Sequence, residues 1–112
     1  MSKYGAKPMI VDGIRFDSRL EARRYGELKL LEMAGEISYL VCHPRFVLQK
    51  AFEHAGERIR AVEYEADFQY QDNATGGMIV EEIKGFETTA WKVKQKLFYY
   101  QYPDVDFRII KV

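Results

Sequence analysis

Cysteine, proline and net charge are scarce in this 112-residue sequence, which has one cysteine, three prolines and equal numbers of acidic and basic side chains, 17 of each. Because Cys42 stands alone, an internal disulfide framework and a zinc site made of several cysteines are excluded, and a reducing compartment is indicated. No apolar run approaches the roughly 18 residues that a membrane-spanning helix needs, and the start of the sequence lacks a signal-peptide stretch. We therefore expect a cytoplasmic protein without a membrane partner.

Apolar and aromatic side chains are abundant, at 47% and 14% of the sequence. This content excludes a disordered chain of low hydrophobicity. The length falls within the range of about 100–150 residues in which single domains cluster. We therefore expect one domain over residues 1–112, with residues 1–8 forming a flexible arm in the absence of a partner.

Charge is distributed unevenly along the chain although it sums to zero. Residues 1–30 carry seven basic and four acidic side chains, residues 31–90 carry five and eleven, and residues 91–112 carry five and two. Two interpretations are open. The basic flanks hold a polyanion around an acidic, metal-binding centre, or the charges simply cover solvated faces.

Turn signals and hydrophobic periodicity predict a mixed α/β domain. Asp12-Gly13 between short apolar runs predicts a small hairpin over residues 8–16. Ser18 and Gly35 are suited to cap a helix over residues 18–34. The other predicted elements are strands over residues 37–41, 46–52, 58–71 and 78–84, a turn over residues 53–57, a second helix over residues 88–102 that ends before Pro103, and a last strand over residues 105–112.

The two strands around the loop at residues 72–77 bring acidic side chains together. The even-numbered side chains of residues 62–70 are predicted to share one apolar face, and the odd-numbered ones a polar face. If Asp72 lies opposite Gly77, Asp67 stands across from Glu82, with Cβ atoms about 4.5–5.5 Å apart. A shift of two residues would place Asp67 opposite Lys84 instead, and a shift of one would turn the polar side chains to the wrong face.

Two facing carboxylates are destabilising on a sheet unless a cation lies between them. Hard cations such as Mg²⁺ prefer oxygen ligands, so Asp67, Glu82 and the backbone carbonyl of Ile83 are candidate ligands. Lys84 would then orient an attacking water or stabilise charge on a phosphate, which suits phosphodiester hydrolysis. The alternative is an exposed polar sheet face whose Glu-Lys pair contributes about 0–1 kcal/mol.

The order of these features resembles the PD-(D/E)xK nuclease superfamily: Glu21 on a first helix, Asp67 on a strand, Glu82-Ile83-Lys84 on the next strand, then a basic helix and a final strand. More closely, almost the whole chain resembles a phage-encoded family of small Holliday-junction-resolvase-like endonucleases. The segments that carry this resemblance are Lys3-Tyr4-Gly5, Asp12-Gly13-Ile14-Arg15-Phe16-Asp17-Ser18, Glu21-Ala22-Arg23-Arg24-Tyr25, Tyr64-Glu65-Ala66-Asp67-Phe68 and Glu81-Glu82-Ile83-Lys84-Gly85.

The resemblance implies a restriction-endonuclease-like core of order α-β-β-β-α-β, with a mixed sheet of four to five strands flanked by two helices and a small N-terminal hairpin before it. It implies metal-dependent DNA cleavage with Mg²⁺, for which Mn²⁺ can substitute. Asp67 and Glu82 would be the ligands and Lys84 the catalytic lysine. The sequence departs from the superfamily pattern before the aspartate, where Glu65-Ala66 replaces a proline.

Glu21 has two interpretations. It stands three residues after Ser18, where it completes a capping box that contributes about 0.5–2 kcal/mol. The resemblance implies that it also reaches the metal, as a glutamate on the first helix does in several related nucleases.

DNA, branched or double-stranded, is the expected partner. Phosphate contacts need positive charge and carry no sequence information. The candidate contacts are Lys92, Gln95 and Lys96 on the second helix and Lys3, Lys7, Arg15, Arg19 and Arg23 near the N-terminus. A homodimer is expected by analogy, because a symmetric junction needs two active sites. The alternative function is a DNA-binding or assembly module that keeps the fold without catalysis.

Overall fold

A computed structural model describes residues 7–111, and within them the chain forms two helices and ten strands. The predicted mixed α/β class is confirmed. Most of the predicted arm over residues 1–8, and with it Lys3, lies outside the described residues. The elements are β1 (Met9–Val11), β2 (Ile14–Phe16), α1 (Arg19–Met33), β3 (Ile37–Cys42), β4 (Arg45–Gln49), β5 (Phe52–His54), β6 (Glu57–Ile59), β7 (Val62–Glu65), β8 (Phe68–Asp72), β9 (Met78–Lys84), α2 (Thr89–Gln101) and β10 (Asp106–Lys111).

A mixed four-stranded sheet of order β10-β9-β8-β3 forms the centre of the molecule. β8 runs antiparallel to both β3 and β9, whereas β10 runs parallel to β9. Parallel strands need a crossover connection, and α2 supplies it between β9 and β10. The chain therefore returns to the same end of the sheet before β10 begins.

The two helices cover opposite faces of this sheet, each over its own hydrophobic core. Tyr25 and Leu28 of α1 pack in one buried cluster with Ile79 and Ile83 of β9. Val80 of β9 lies on the opposite face and belongs to the second cluster, which contains Trp91 and Phe98 of α2. Because β9 is covered on both faces, it has a nearly continuous buried run in place of a polar and an apolar face.

The predicted single strand over residues 58–71 is wrong, because the chain forms β6, β7 and β8 there. β7 pairs with β4, and the chain then bends at Ala66 and Asp67 to join β3 and β9. The bend also divides the even-numbered side chains that were predicted to share a face: Tyr64 packs in the α2 cluster, whereas Phe68 packs in the α1 cluster. The reason is that the chain changes strand partners at the bend, while the alternation of polar and apolar residues continues through it.

A short hairpin replaces the predicted turn over residues 53–57 and the end of the predicted strand over residues 46–52. β5 and β6 pair with each other and are joined by Ala55 and Gly56 alone. Both joining residues have positive φ, 52° and 81°, as a two-residue hairpin turn that follows the twist of its strands requires.

The predicted helix ends are confirmed. The Ser18 side chain accepts a hydrogen bond from the Glu21 amide at the start of α1, and Gly35 follows the helix with a φ of 79°. The Thr88 side chain caps α2 in the same way, and Pro103 follows Tyr102, the C-cap residue of this helix. Within residues 7–111, neither helix has the length and apolar content to cross a membrane.

Candidate active site

The pairing of β8 with β9 follows the predicted register. Phe68 lies opposite Glu81, and the Asp72 amide donates to the Gly77 carbonyl at 2.9 Å where the loop closes. The ladder ends at Phe68, so the predicted pair of Asp67 with Glu82 is not part of it, and the Asp67 amide donates a hydrogen bond of 3.1 Å to the Glu81 carbonyl. The backbone of Asp67 therefore contacts β9 at Glu81, the residue before Glu82.

Asp67, Glu82 and Lys84 line one open cleft of about 410 Å³ between the end of β9 and the start of α2. The carboxylates of Asp17 and Glu65 and the ammonium group of Lys94 also line it. Four carboxylates and two ammonium groups give the lining a formal charge of −2. Carboxylate oxygens and a net negative charge are the environment that a hard divalent cation prefers.

The Asp67 carboxylate is held by the backbone of the neighbouring strand. Its Oδ2 accepts a hydrogen bond of 2.6 Å from the Ile83 amide, and the side chain is 6% exposed. An ionised acceptor strengthens such a bond. The structure thus assigns Ile83 a contact through its N–H group, while a ligand role for its carbonyl stays a prediction.

The Glu82 carboxylate is also buried, and the Tyr64 hydroxyl donates a hydrogen bond to it. Burial, together with the negative charge of Glu82, raises the pKa of the Tyr64 hydroxyl above its ordinary value. The hydroxyl therefore stays protonated and keeps its donor over the ordinary pH range. Tyr64 orients one carboxylate of the pair as Ile83 orients the other.

Glu81 and Glu82 take different environments on opposite faces of β9. Arg24 of α1 donates two hydrogen bonds to Glu81, from Nε at 2.8 Å and from Nη2 at 2.7 Å, and the Tyr70 hydroxyl donates to the same carboxylate. The bond to Glu81 raises the pKa of the Arg24 guanidinium above its ordinary value. Glu81 thus joins α1 to the sheet, and Glu82 is the glutamate that lines the cleft.

Lys84 and Lys94 are the cations of the cleft, and both are half-buried. The Lys84 ammonium lies over the ring of Trp91, 4.9 Å from its centroid, which is within the range of a cation–π contact. Lys94 Nζ donates a hydrogen bond of 3.1 Å to the backbone carbonyl of Glu63.

Glu21 is 1% exposed at the first turn of α1. Its amide donates to Ser18 Oγ at 3.2 Å, which is the Ser18 half of the predicted capping box, and the Ser18 hydroxyl lies 3.4 Å from Glu21 Oε2. Its role as a metal ligand stays a prediction. Within residues 7–111, no three His, Cys, Asp or Glu side chains are grouped as a ready-made metal site. A Mg²⁺ ion, which usually keeps several waters and binds one or two carboxylates, needs no larger group.

Within residues 7–111, none of the predicted DNA contacts lines the cleft, and Lys3 lies outside the described residues. Lys7, Arg19, Arg23, Lys92 and Lys96 are exposed. Arg15 forms a 2.9 Å ion pair with Asp17, and Gln95 donates a 2.7 Å hydrogen bond to the Tyr99 hydroxyl. Their contact with DNA stays a prediction.

Sequence reasoning placed only Asp67, Glu82 and Lys84 at this site and missed the other lining residues, which are Asp17, His43, Tyr64, Glu65, Thr88, Ala90, Trp91 and Lys94. Helical spacing contains the signal for Lys94, because it lies three residues after Trp91 and so shares the inward face of α2. His43 donates its backbone N–H to the Asp67 carbonyl at 3.0 Å and adopts a positive φ of 55°. Its position depends on the non-local bend at Asp67, for which the sequence offers no signal.

Comparison with known proteins assigns the chain to a family. The sequence model of a family described as a protein of unknown function, DUF1064, matches residues 1–112. The chain belongs to the DUF1064 family. The DUF1064 match includes every residue of the cleft. No curated protein and no solved structure matches the chain.

Proposed function

We propose that this protein is a metal-dependent nuclease that hydrolyses phosphodiester bonds in DNA, with Mg²⁺ as its ion and Mn²⁺ as a substitute. The observation that carries the proposal is the convergence of Asp67, Glu82 and Lys84 on one cleft. The two carboxylates are nearly buried, yet they border a space large enough for a hydrated ion and a phosphate group.

The order of the elements supports the proposal. Setting aside the excursion β4–β7 and the N-terminal hairpin, the chain runs α1-β3-β8-β9-α2-β10. This is the α-β-β-β-α-β order of the restriction-endonuclease-like core that the sequence resembles. The candidate residues also fall at matching places, with Asp67 before β8 and Glu82 and Lys84 at the end of β9.

Each side chain has a task in this reaction. Asp67 and Glu82 would hold the ion, with Ile83 and Tyr64 fixing the two carboxylates in place. A bound Mg²⁺ supplies polarisation of a phosphate oxygen and a lowered pKa for an attacking water. Lys84 contributes a positive charge beside the carboxylates, where it orients the water or stabilises charge on the phosphate.

The substrate and the assembly follow from the resemblance. We propose branched or double-stranded DNA as the substrate, with Holliday junctions in phage replication or recombination as one form. A homodimer would present two clefts to the two symmetric strands of a junction.

One observation favours a second candidate, a DNA-binding or assembly module without catalysis. Within the part of the chain that the structure describes, no group of three side-chain ligands is assembled around the cleft. Such a module would bind DNA in a salt-sensitive way and would cleave none.

Labelled junction, flap, duplex and single-stranded DNAs, incubated with Mg²⁺, Mn²⁺ or a chelator, separate the two candidates. The nuclease predicts metal-dependent cleavage that Asp67→Asn and Lys84→Met each reduce by at least about 100-fold. Glu53→Gln is the matched control, because Glu53 is exposed on β5 and lies outside the cleft lining. Retained cleavage in both cleft variants, each shown to be folded by circular dichroism, would reject the proposal.

A further inference from the structure

Lys94 differs from the other two lysines of α2 in its surroundings. Lys92 and Lys96 are exposed, whereas Lys94 is half-buried and lines the cleft. The difference follows from helical spacing, because positions 91, 94 and 98 lie on one face and Trp91 and Phe98 are buried against the sheet. One of the three lysines is therefore directed by the fold towards Asp67 and Glu82.

The charge of Lys94 is held in place without being neutralised. Its Nζ donates to the Glu63 backbone carbonyl at 3.1 Å, which is a neutral acceptor. Among the ion pairs of residues 7–111, none involves Lys94. A phosphate oxygen is a stronger acceptor for an ammonium group than a carbonyl oxygen is, because the bond is then charge-assisted on both sides.

The cleft needs such a cation if a polyanion is to enter it. Arg15 and Arg45 pair with two of the lining carboxylates, those of Asp17 and Glu65. A phosphate group that enters beside Asp67 and Glu82 is repelled by their negative charge and attracted by the ammonium groups of the lining. Lys84 rests on Trp91, which lies one helical turn before Lys94, and both lysines line the cleft.

We infer that Lys94 binds a backbone phosphate of the nucleic acid and holds the strand beside Asp67 and Glu82. The inference rests on the proposed function and adds a specific positioning contact to it. Lys94 leaves the Glu63 carbonyl for the phosphate when substrate enters. Because the contact is to the backbone, it contributes affinity without sequence preference.

The test is DNA binding by the full chain, measured by fluorescence anisotropy with Ca²⁺ in place of Mg²⁺ over a range of salt concentrations. Lys94→Gln should weaken binding about 5- to 10-fold and reduce the slope of log affinity against log salt by about 0.7–0.9, the value for one phosphate contact. Lys94→Arg should restore most of the affinity. The matched control is Lys50→Gln, which removes the same charge from an exposed position outside the cleft.

The outcomes separate this inference from the nuclease proposal. Loss of binding in Lys94→Gln by a chain that cleaves no DNA with Mg²⁺ would support the contact and reject the nuclease. Cleavage by the wild type with unchanged binding, salt slope and KM in Lys94→Gln would overturn the contact and leave the nuclease standing. If the nuclease is active, Lys94→Gln should raise KM more than it lowers kcat. A wild-type chain that binds no DNA would overturn the inference.

Discussion

At the scale of single residues, the candidate catalytic lysine is positioned by an aromatic ring. The Lys84 ammonium lies 4.9 Å from the centroid of Trp91, and Trp91 is itself fixed in the core beneath α2. The ring attracts the ammonium group and limits the positions it samples. Trp91 therefore holds Lys84 at the cleft that both residues line.

Replacing Trp91 with leucine should release Lys84. In proton NMR spectra, the ε-methylene protons of Lys84 should lose the upfield ring-current shift that the indole imposes. Cation–π contacts contribute about 0.5–2 kcal/mol, so cleavage of DNA should slow by about 2- to 30-fold. Trp91→Phe, which keeps an aromatic face, should have a smaller effect on both measurements. Unchanged Lys84 resonances in Trp91→Leu would contradict this positioning role.

At the scale of elements, α1 is joined to β9 by one polar network. Arg24 donates two hydrogen bonds to Glu81, whose side chain is 1% exposed, and Tyr70 of β8 donates a third. A buried carboxylate that loses its cation carries an unpaired charge into an apolar environment. The network therefore makes the position of α1 depend on Arg24.

Arg24→Gln should lower the free energy of unfolding by about 2–4 kcal/mol, because Glu81 is left without its cation. The adjacent Arg23 is exposed, so Arg23→Gln should change the free energy of unfolding by no more than about 0.5 kcal/mol. Urea titrations followed by circular dichroism measure both. Equal effects of the two substitutions would show that the network does not stabilise the helix.

The same network should make stability depend on alkaline pH. Burial and the hydrogen bond to Glu81 raise the pKa of Tyr70 to about 12, compared with about 10 in an unfolded chain. Because the folded-state pKa is the higher one, the protonated hydroxyl stabilises the fold fully below pH 10. This contribution is lost as the pH rises through 12.

Tyr70→Phe should therefore flatten the fall in the free energy of unfolding between pH 10 and pH 12, by up to about 2 kcal/mol over that window. Tyr100 is 81% exposed, so Tyr100→Phe serves as the control and should leave the fall unchanged. The measurement is a series of urea titrations at increasing pH. An identical slope in the wild type and Tyr70→Phe would contradict the prediction.

At the scale of the whole molecule, the described part of the chain is elongated. Its extents are 52 × 35 × 25 Å, and its radius of gyration is 15.7 Å, whereas a compact chain of this length has about 13 Å. The β5–β6 hairpin pairs only with itself, and within the described residues it adds no side chain to either buried core. The strand before the hairpin, β4, is held independently of it, because the side chains of Gln101 and Tyr102 at the C-terminal end of α2 donate hydrogen bonds of 2.9 Å to its carbonyls. The core therefore does not depend on this hairpin.

Replacing residues 50–61 with Asn-Gly should leave a folded protein. Gln49 and Val62 lie opposite each other in the β4–β7 pairing, so a two-residue turn can join them. The free energy of unfolding should change by no more than about 1 kcal/mol, since a shorter loop has a smaller entropic cost of closure. A urea titration and the dispersion of an NMR spectrum measure this. A non-cooperative urea-unfolding transition of the shortened protein would show that the hairpin supports the core.

Much of the local structure could be predicted because its signals lie within a few residues. Ser18 and Gly35 mark the ends of α1, and the Asp72 loop sets the register of β8 on β9. The bend at Asp67 could not be predicted, since alternation continues through it without a glycine or proline. There the chain exchanges β4 for β3 and β9, and a change of partners depends on residues that are far away in the sequence.

Local signals in the sequence were enough to predict the ends of both helices, the class of the fold and the grouping of Asp67, Glu82 and Lys84. Capping, strand register and motif spacing depend on residues that are close together in the sequence. The structure added that Tyr64 holds the Glu82 carboxylate and that Lys94 lines the cleft together with Lys84. The physical reason is burial on both faces of β9. Each face is assigned by the helix that packs on it, and that packing exists only once distant segments have come together.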